Sequence, residues 1–81
     1  PLTEERRKSL SKDVNREGEA AKVSIRNARK EANDQLKKLM KDGLAEDLEK
    51  ITVDKVQKMT DDFSRKIDSL VEKKHVEIMT I

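Results

Sequence analysis

The sequence predicts an all-α protein that consists of an antiparallel hairpin of two long helices. Charged residues make up 44% of the 81 residues and aromatic residues only 1%, a composition typical of long exposed helices. Two glycines and one proline leave little sequence for turns. No segment alternates apolar and polar residues, so strands are not expected.

The first helix is predicted over residues 3–41. Thr3 can accept a hydrogen bond from a free amide of the first turn, and the two glutamates after it suit the positive end of the helix dipole. Gly18 lies inside the helix and costs about 1 kcal/mol relative to alanine, so the helix either absorbs this cost or bends there. Gly43 can adopt the left-handed conformation that ends a helix.

A turn at residues 42–45 and a second helix over residues 46–79 are predicted next. The second helix carries an apolar stripe that covers about 140° of its circumference. The members of this stripe are Leu48, Val56, Met59, Phe63, Ile67, Leu70, Ile78 and Ile81, with Val53 and Val71 on one flank. Phe63 and Met59 lie near the centre of the stripe and are interpreted as core residues.

The short turn predicts that the two helices pack antiparallel to each other. Each helix can cover only part of its neighbour's apolar face, and burial of apolar surface contributes about 25 cal/mol per Å². The uncovered surface should therefore be buried by a third helix from elsewhere or by a second copy of the chain. Self-association is expected for this chain, most simply as a dimer of four helices.

The first helix also carries a basic row beside an apolar stripe that includes Ile25, Ala32 and Leu36. The row consists of Lys22, Arg26, Arg29, Asn33 and Lys37. Residues 1–43 contain 12 lysines and arginines against 8 acidic residues, whereas residues 44–81 contain 7 against 9. This pattern predicts an anionic partner, with phosphate as the first candidate. The alternative is an ordinary solvated helix face.

Five segments resemble, in the same order, the C-terminal part of bacterial ribosome recycling factors. They are PLTEERR at residues 1–7, AKVSIRNARK at 21–30, VQKMTD at 56–61, the region 66–74, and EIM at 77–79. The second segment resembles the arginine-rich signature of that family. Because the segments span essentially the whole chain, the resemblance is more specific than a single basic patch.

The resemblance implies a protein with a domain of three long helices and a β-rich domain inserted between the first and second of them. This chain corresponds to the second and third helices. It is therefore expected to be part of a three-helix bundle, with the first helix and the inserted β domain absent. The chain begins at Pro1, without a methionine, and is interpreted as a fragment or a processed product.

The resemblance also implies a function and a site. Family members bind ribosomal RNA of the large subunit and, with elongation factor G and GTP hydrolysis, split the post-termination ribosome in the cytoplasm. Arg26 and Arg29 match two signature arginines expected to contact RNA. Lys30 replaces the more usual arginine, so it keeps the charge but loses the planar guanidinium fork. Lys22, Asn33 and Lys37 complete the predicted RNA-binding site.

The position of Arg29 makes it the most informative residue of this site. It lies at the edge of the apolar stripe, so its stem can pack while its guanidinium reaches outward. Arg26 lies further round the helix and is expected to be freer. At the start of the chain, Arg6, Arg7 and Lys8 are interpreted as a partly frayed and solvated first turn, with an added phosphate contact as the alternative.

Catalysis, cofactors and membrane insertion are not expected. The sequence contains no cysteine, no glycine-rich phosphate loop and no apolar run near the ~20 residues of a membrane span. Glu72 and His75 have the spacing of di-iron ligands, but both should point into water, so no metal site is predicted. The alternative function is a structural hairpin or coiled-coil module that binds a partner helix, nearly independently of salt.

Overall fold

The computed structural model describes residues 2–80, which form two α-helices. Helix α1 covers Glu4–Lys41 and helix α2 covers Glu46–Thr80, with 38 and 35 residues. They pack against each other as an antiparallel hairpin 61 Å long, and residues 2–80 contain no strand. The all-α hairpin predicted from the sequence is confirmed. Ile81, which was assigned to the second apolar stripe, lies outside the described residues.

The turn between the helices is built from local hydrogen bonds. The amide of Leu44 donates to the carbonyl of Leu39 at 2.9 Å, and the amide of Gly43 donates to the carbonyl of Met40 at 3.1 Å. This pair of bonds is the Schellman motif, which requires a residue in the left-handed region. Gly43 supplies it with a φ of 109°. The glycine therefore both ends α1 and reverses the chain.

The N-terminus of α1 meets the C-terminus of α2 at the other end of the hairpin. Thr3 Oγ1 accepts a hydrogen bond from the Arg6 amide at 3.1 Å, as a helix N-cap does. Arg7 Nη1 donates to the carbonyl oxygen of Ile78 at 2.6 Å. The interpretation of Arg7 as part of a frayed, solvated turn is therefore wrong. Its guanidinium reaches a carbonyl in the last turn of α2, where a positive charge is favourable.

The helices approach each other closely where Gly18 faces α2. Gly18 is buried, and a Cβ atom built on it would lie only 2.6 Å from Cγ2 of Val71. Helix α1 runs through Gly18 without interruption, so it absorbs the unfavourable glycine rather than ending there. The missing side chain makes room for the valine, and this allows the short distance between the helices.

Few side chains are fully covered in this hairpin. Among the described residues, the buried side chains are Leu36, Ile78 and Thr60. Thr60 was not predicted as a core residue because it is polar. Its hydroxyl donates to the carbonyl oxygen of Val56 at 2.8 Å, which satisfies the donor within its own helix. The remaining apolar residues of the contact are only partly covered.

One side of the hairpin exposes large apolar residues along two grooves between the helices, and we call it the apolar side. The grooves have volumes of about 430 and 440 Å³. The prediction that Phe63 and Met59 are core residues is wrong for this chain, since 50% of Phe63 and 57% of Met59 are exposed. Leu70 is exposed in the other groove. Two helices cannot enclose an apolar face this wide.

Neither helix, within residues 2–80, has the length of apolar sequence that crossing a membrane requires.

Candidate nucleic-acid interface

The six predicted RNA-binding residues all lie on α1 but fall into two groups. Lys22, Arg29 and Asn33 are half-buried against α2, and we call them the inner group. The outer group is exposed and consists of Arg26, Lys30 and Lys37. The predicted RNA-binding site is therefore not one uniform surface, because only the outer group is presented freely to a partner.

Lys22 is engaged in ion pairs. Its Nζ donates to Asp68 Oδ1 on α2 at 2.8 Å and lies 3.3 Å from Glu19 Oε1. The hydrogen bond to Asp68 raises the pKa of Lys22 above 10.5, and the hydrogen bond to Glu19 adds to this effect. Since two carboxylates already surround this ammonium group, it is a weaker candidate for phosphate contact than its place in the row suggested.

Arg29 contacts a neutral group on α2. Its Nη1 donates to Gln57 Oε1 at 3.1 Å, and its Nε is buried without a hydrogen-bond partner among residues 2–80. The prediction that the guanidinium reaches outward therefore needs correction, because one edge of it faces α2. The cause is the place of Arg29 beside the helix contact, directly across from Gln57. The buried Nε cannot reach an outside acceptor, so any further contact must use the N–H groups of the two Nη atoms.

Asn33 lies one turn after Arg29 on the same flank. Its Oδ1 is buried and has no hydrogen-bond partner within the described part of the chain. A buried acceptor cannot contact RNA without a change of side-chain conformation. Asn33 is therefore less accessible to a ligand than its place in the predicted site implied.

The outer group is open to solvent. Arg26, Lys30 and Lys37 form no hydrogen bond or ion pair with any of residues 2–80. Their positions fall within about 40° of each other around α1, and they span about 16 Å along it. Three unpaired positive charges in one line can approach several phosphates of a nucleic-acid backbone.

His75 takes part in a further polar contact between the helices. Its Nε2 lies 2.9 Å from Asn15 Oδ1, and the residue is half-buried. The expectation that His75 points into water is therefore wrong, because α2 turns it towards α1. Glu72 is exposed, and within residues 2–80 no group of three or more His, Asp or Glu residues is arranged to hold a metal ion.

These contacts define a second side of the hairpin, which we call the polar side. It contains the cross-helix pairs Asn15–His75, Lys22–Asp68 and Arg29–Gln57. By helical position, the other members of these pairs lie across the helix contact from the apolar side, whereas Arg29 lies at the contact itself and also lines the groove that contains Phe63. The basic row therefore extends from the polar side to the edge of this groove.

Sequence reasoning did not identify the α2 residues that support Arg29. Gln57 accepts from Arg29 and also donates through Nε2 to Asp61 Oδ1 at 3.0 Å. The spacing of four residues between Gln57 and Asp61 is a signal for such a bond on one helix face. The partner across the helix contact could not be read from spacing, because it depends on the register of the two helices.

Comparison with known proteins assigns this chain to a family. A family model described as ribosome recycling factor matches residues 1–79 of the chain. The chain belongs to the ribosome recycling factor family. It is 58% identical over 82 aligned residues to the ribosome-recycling factor of Paraburkholderia phymatum. It is 56% identical to the ribosome-recycling factors of Burkholderia mallei and Burkholderia pseudomallei.

These alignments cover all of this chain but only 44% of each relative. The chain thus spans less than half the length of the ribosome-recycling factors that it matches. The resemblance inferred from the five sequence segments is confirmed. The match through residue 79 includes all of α1, all of α2 except its last residue, and all six residues of the predicted site.

Proposed function

We propose that this hairpin is a ribosome-binding element and that the basic row on α1 anchors it to ribosomal RNA of the large subunit. The observation that carries this proposal is the hydrogen bond from Arg29 to Gln57, which holds this arginine next to the outer group. The side chains of the outer group have no partner among residues 2–80. Family membership supports it, because the named process acts on the ribosome, whose surface is rich in RNA phosphate. The contact points are Arg29, the outer group and, to a smaller extent, Lys22 and Asn33.

The wider activity that we propose is that of a translation factor. With elongation factor G, it binds the post-termination ribosome in the cytoplasm and promotes separation of the subunits. The hairpin contributes binding and transmission of force, with no bond chemistry of its own. Its length of 61 Å and its continuous helices support this role, since both suit a stiff lever.

The mode of RNA contact follows from the side chains available. Phe63, the one aromatic residue, lines a groove together with Arg29, and a single ring offers no platform on which successive bases could stack. Lysine and arginine contacts to phosphate position a protein without reading bases. We therefore expect recognition of RNA backbone and shape, with little dependence on base sequence.

The test is Arg29→Ala in a full-length ribosome-recycling factor that carries this hairpin. We expect the affinity for large ribosomal subunits to fall by about 1–3 kcal/mol, the usual scale for such contacts. Affinity should also fall steeply with salt concentration, because phosphate binding releases counterions. Filter binding or sedimentation with large subunits at several salt concentrations measures both quantities.

Arg16→Ala is the matched control. Arg16 is an exposed arginine on the same helix, and among residues 2–80 its guanidinium pairs only with Asp13, three residues before it. Its removal should leave affinity nearly unchanged. Equal affinities for wild type and Arg29→Ala at physiological salt would contradict the anchor. Binding that hardly responds to salt would instead favour the alternative of a hairpin that recognises a partner helix.

We also propose that the 81-residue hairpin associates with a second copy through its apolar side. Its accessible surface is 6576 Å². A compact protein of 9.3 kDa exposes about 5,000 Å², so the excess is about 1,600 Å². Two copies that each cover about 800 Å² form an interface of standard size. The exposed phenylalanine, methionine and leucine side chains of the grooves supply the apolar contact.

A further inference from the structure

The Arg29 guanidinium is partly fixed before any ligand arrives. Its Nε is buried, and its Nη1 donates to Gln57 Oε1 across the helix contact. These two features restrict both the position of the group and the rotation of its plane. Arg26, by contrast, is exposed and has no partner among residues 2–80. The two signature arginines therefore differ in how much freedom they lose on binding.

Gln57 can hold Arg29 only if its own amide points the right way. The two ends of a glutamine amide have nearly the same shape but opposite roles, one acceptor and one donor. In the observed orientation, Oε1 faces Arg29 and Nε2 donates to Asp61 Oδ1 at 3.0 Å. The reversed amide would place donors against donors at Arg29 and acceptors against acceptors at Asp61. Asp61 therefore selects the orientation that accepts from Arg29.

We propose that Gln57, oriented by Asp61, is a positioning residue that holds the Arg29 guanidinium ready to contact an RNA phosphate. This proposal rests on the proposed function of Arg29 as an RNA anchor. Gln57 and Asp61 need not touch RNA themselves. Their effect is to reduce the freedom that Arg29 loses on binding, and fixing one flexible side chain in advance changes affinity roughly 2- to 10-fold.

Two substitutions of Asp61 distinguish a positioning effect on RNA binding from a purely electrostatic one. Asp61→Asn and Asp61→Ala remove the same negative charge, so a purely electrostatic effect on RNA binding would be equal in the two variants. Asparagine keeps a carbonyl oxygen that can accept from Gln57, whereas alanine keeps none. Positioning predicts that Asp61→Ala binds large ribosomal subunits roughly 2- to 10-fold more weakly than Asp61→Asn.

The experiment measures the affinity of these variants for large ribosomal subunits in a full-length ribosome-recycling factor that carries the hairpin. Gln57→Met, which removes both hydrogen bonds at similar length, should weaken binding by a similar factor. Gln35→Met is the matched control, since Gln35 is an exposed glutamine on α1 without a hydrogen bond to residues 2–80. Asp54→Asn and Asp54→Ala form the equivalent control pair on α2.

A double-mutant cycle completes the test. In an Arg29→Ala background, Gln57→Met should have no further effect, and the difference between Asp61→Asn and Asp61→Ala should vanish. A merely structural role for Gln57 would persist in that background. Equal binding of Asp61→Asn and Asp61→Ala with Arg29 present, or tighter binding of Gln57→Met, would overturn the proposal. If Arg29→Ala itself leaves affinity unchanged, the proposed RNA anchor fails, which is a separate result.

Discussion

The polar side and the apolar side of this hairpin differ in how completely two helices can build them. On the polar side, individual hydrogen bonds and one cross-helix ion pair join α1 to α2 at defined atoms, as between Lys22 and Asp68. On the apolar side, Phe63, Met59 and Leu70 remain half or more exposed along open grooves. Directional contacts can be satisfied by one pair of residues, whereas apolar burial needs a surface of matching area.

This difference assigns separate tasks to the two sides. Exposed ion pairs and hydrogen bonds contribute little to stability, so the polar side mainly positions the side chains of the basic row. The apolar side carries most of the free energy that is still to be gained by burial. A partner on the apolar side should therefore change stability strongly, while a partner on the basic row should depend on charge and salt.

The largest expected effect tests the apolar side. Phe63→Asp places a charge at the centre of the proposed interface and should convert the hairpin from a dimer to a monomer. Charged groups buried without a partner, and lost central aromatic contacts, each cost about 2 kcal/mol or more. Light scattering over a range of protein concentrations measures this change in mass.

Val23→Asp is the control for this substitution. Val23 is exposed on α1 and lines neither groove, so its replacement should leave the dimer intact. A wild-type hairpin that stays monomeric at high concentration would show that the apolar side is not covered by a second copy.

A smaller effect is expected where the two sides meet, at Gly18. Alanine is favoured over glycine in a helix by about 1 kcal/mol, but overpacking costs about 1–3 kcal/mol. Since the added Cβ would lie 2.6 Å from Val71 Cγ2, Gly18→Ala should lower the free energy of unfolding by up to about 2 kcal/mol. Urea denaturation at a fixed protein concentration measures this change in the free energy of unfolding.

The control for this prediction is to introduce Gly18→Ala into a hairpin that already carries Val71→Ala. With the valine methyl groups removed, Gly18→Ala should become neutral or stabilising. A stabilising Gly18→Ala in the otherwise wild-type hairpin would mean that the helices can separate at this point without cost.

The smallest expected effect concerns the ion pair of the polar side. The hydrogen bonds to Asp68 and Glu19 raise the pKa of Lys22, so its folded value lies above its unfolded value. This contribution to stability is therefore fully present below pH 10.5 and is lost as pH rises through the raised pKa. Asp68→Asn should lower the titration midpoint of Lys22, measured by NMR of its side chain. An unchanged midpoint would show that Lys22 and Asp68 do not pair in solution.

Features that depend on neighbouring residues follow from the order of amino acids alone. Thr3 and Gly43 act through bonds to residues within a few positions, so the start and end of α1 could be predicted from residue type. The helical period placed the basic row on one flank of α1. Five ordered segments identified the family, because their residue identities do not depend on any contact between the helices.

Which atoms meet across the hairpin depends on how the two helices pack and could not be predicted from residue types. The hydrogen bonds across the hairpin join residues that are far apart in sequence. The separation is 71 residues for Arg7 and Ile78, 60 for His75 and Asn15, and 28 for Arg29 and Gln57, so these bonds depend on the register of α1 against α2. The same register leaves Phe63 half exposed although it lies at the centre of its stripe. Periodicity tells which face of a helix is apolar, but only the width of the neighbouring surface determines how much of that face is covered.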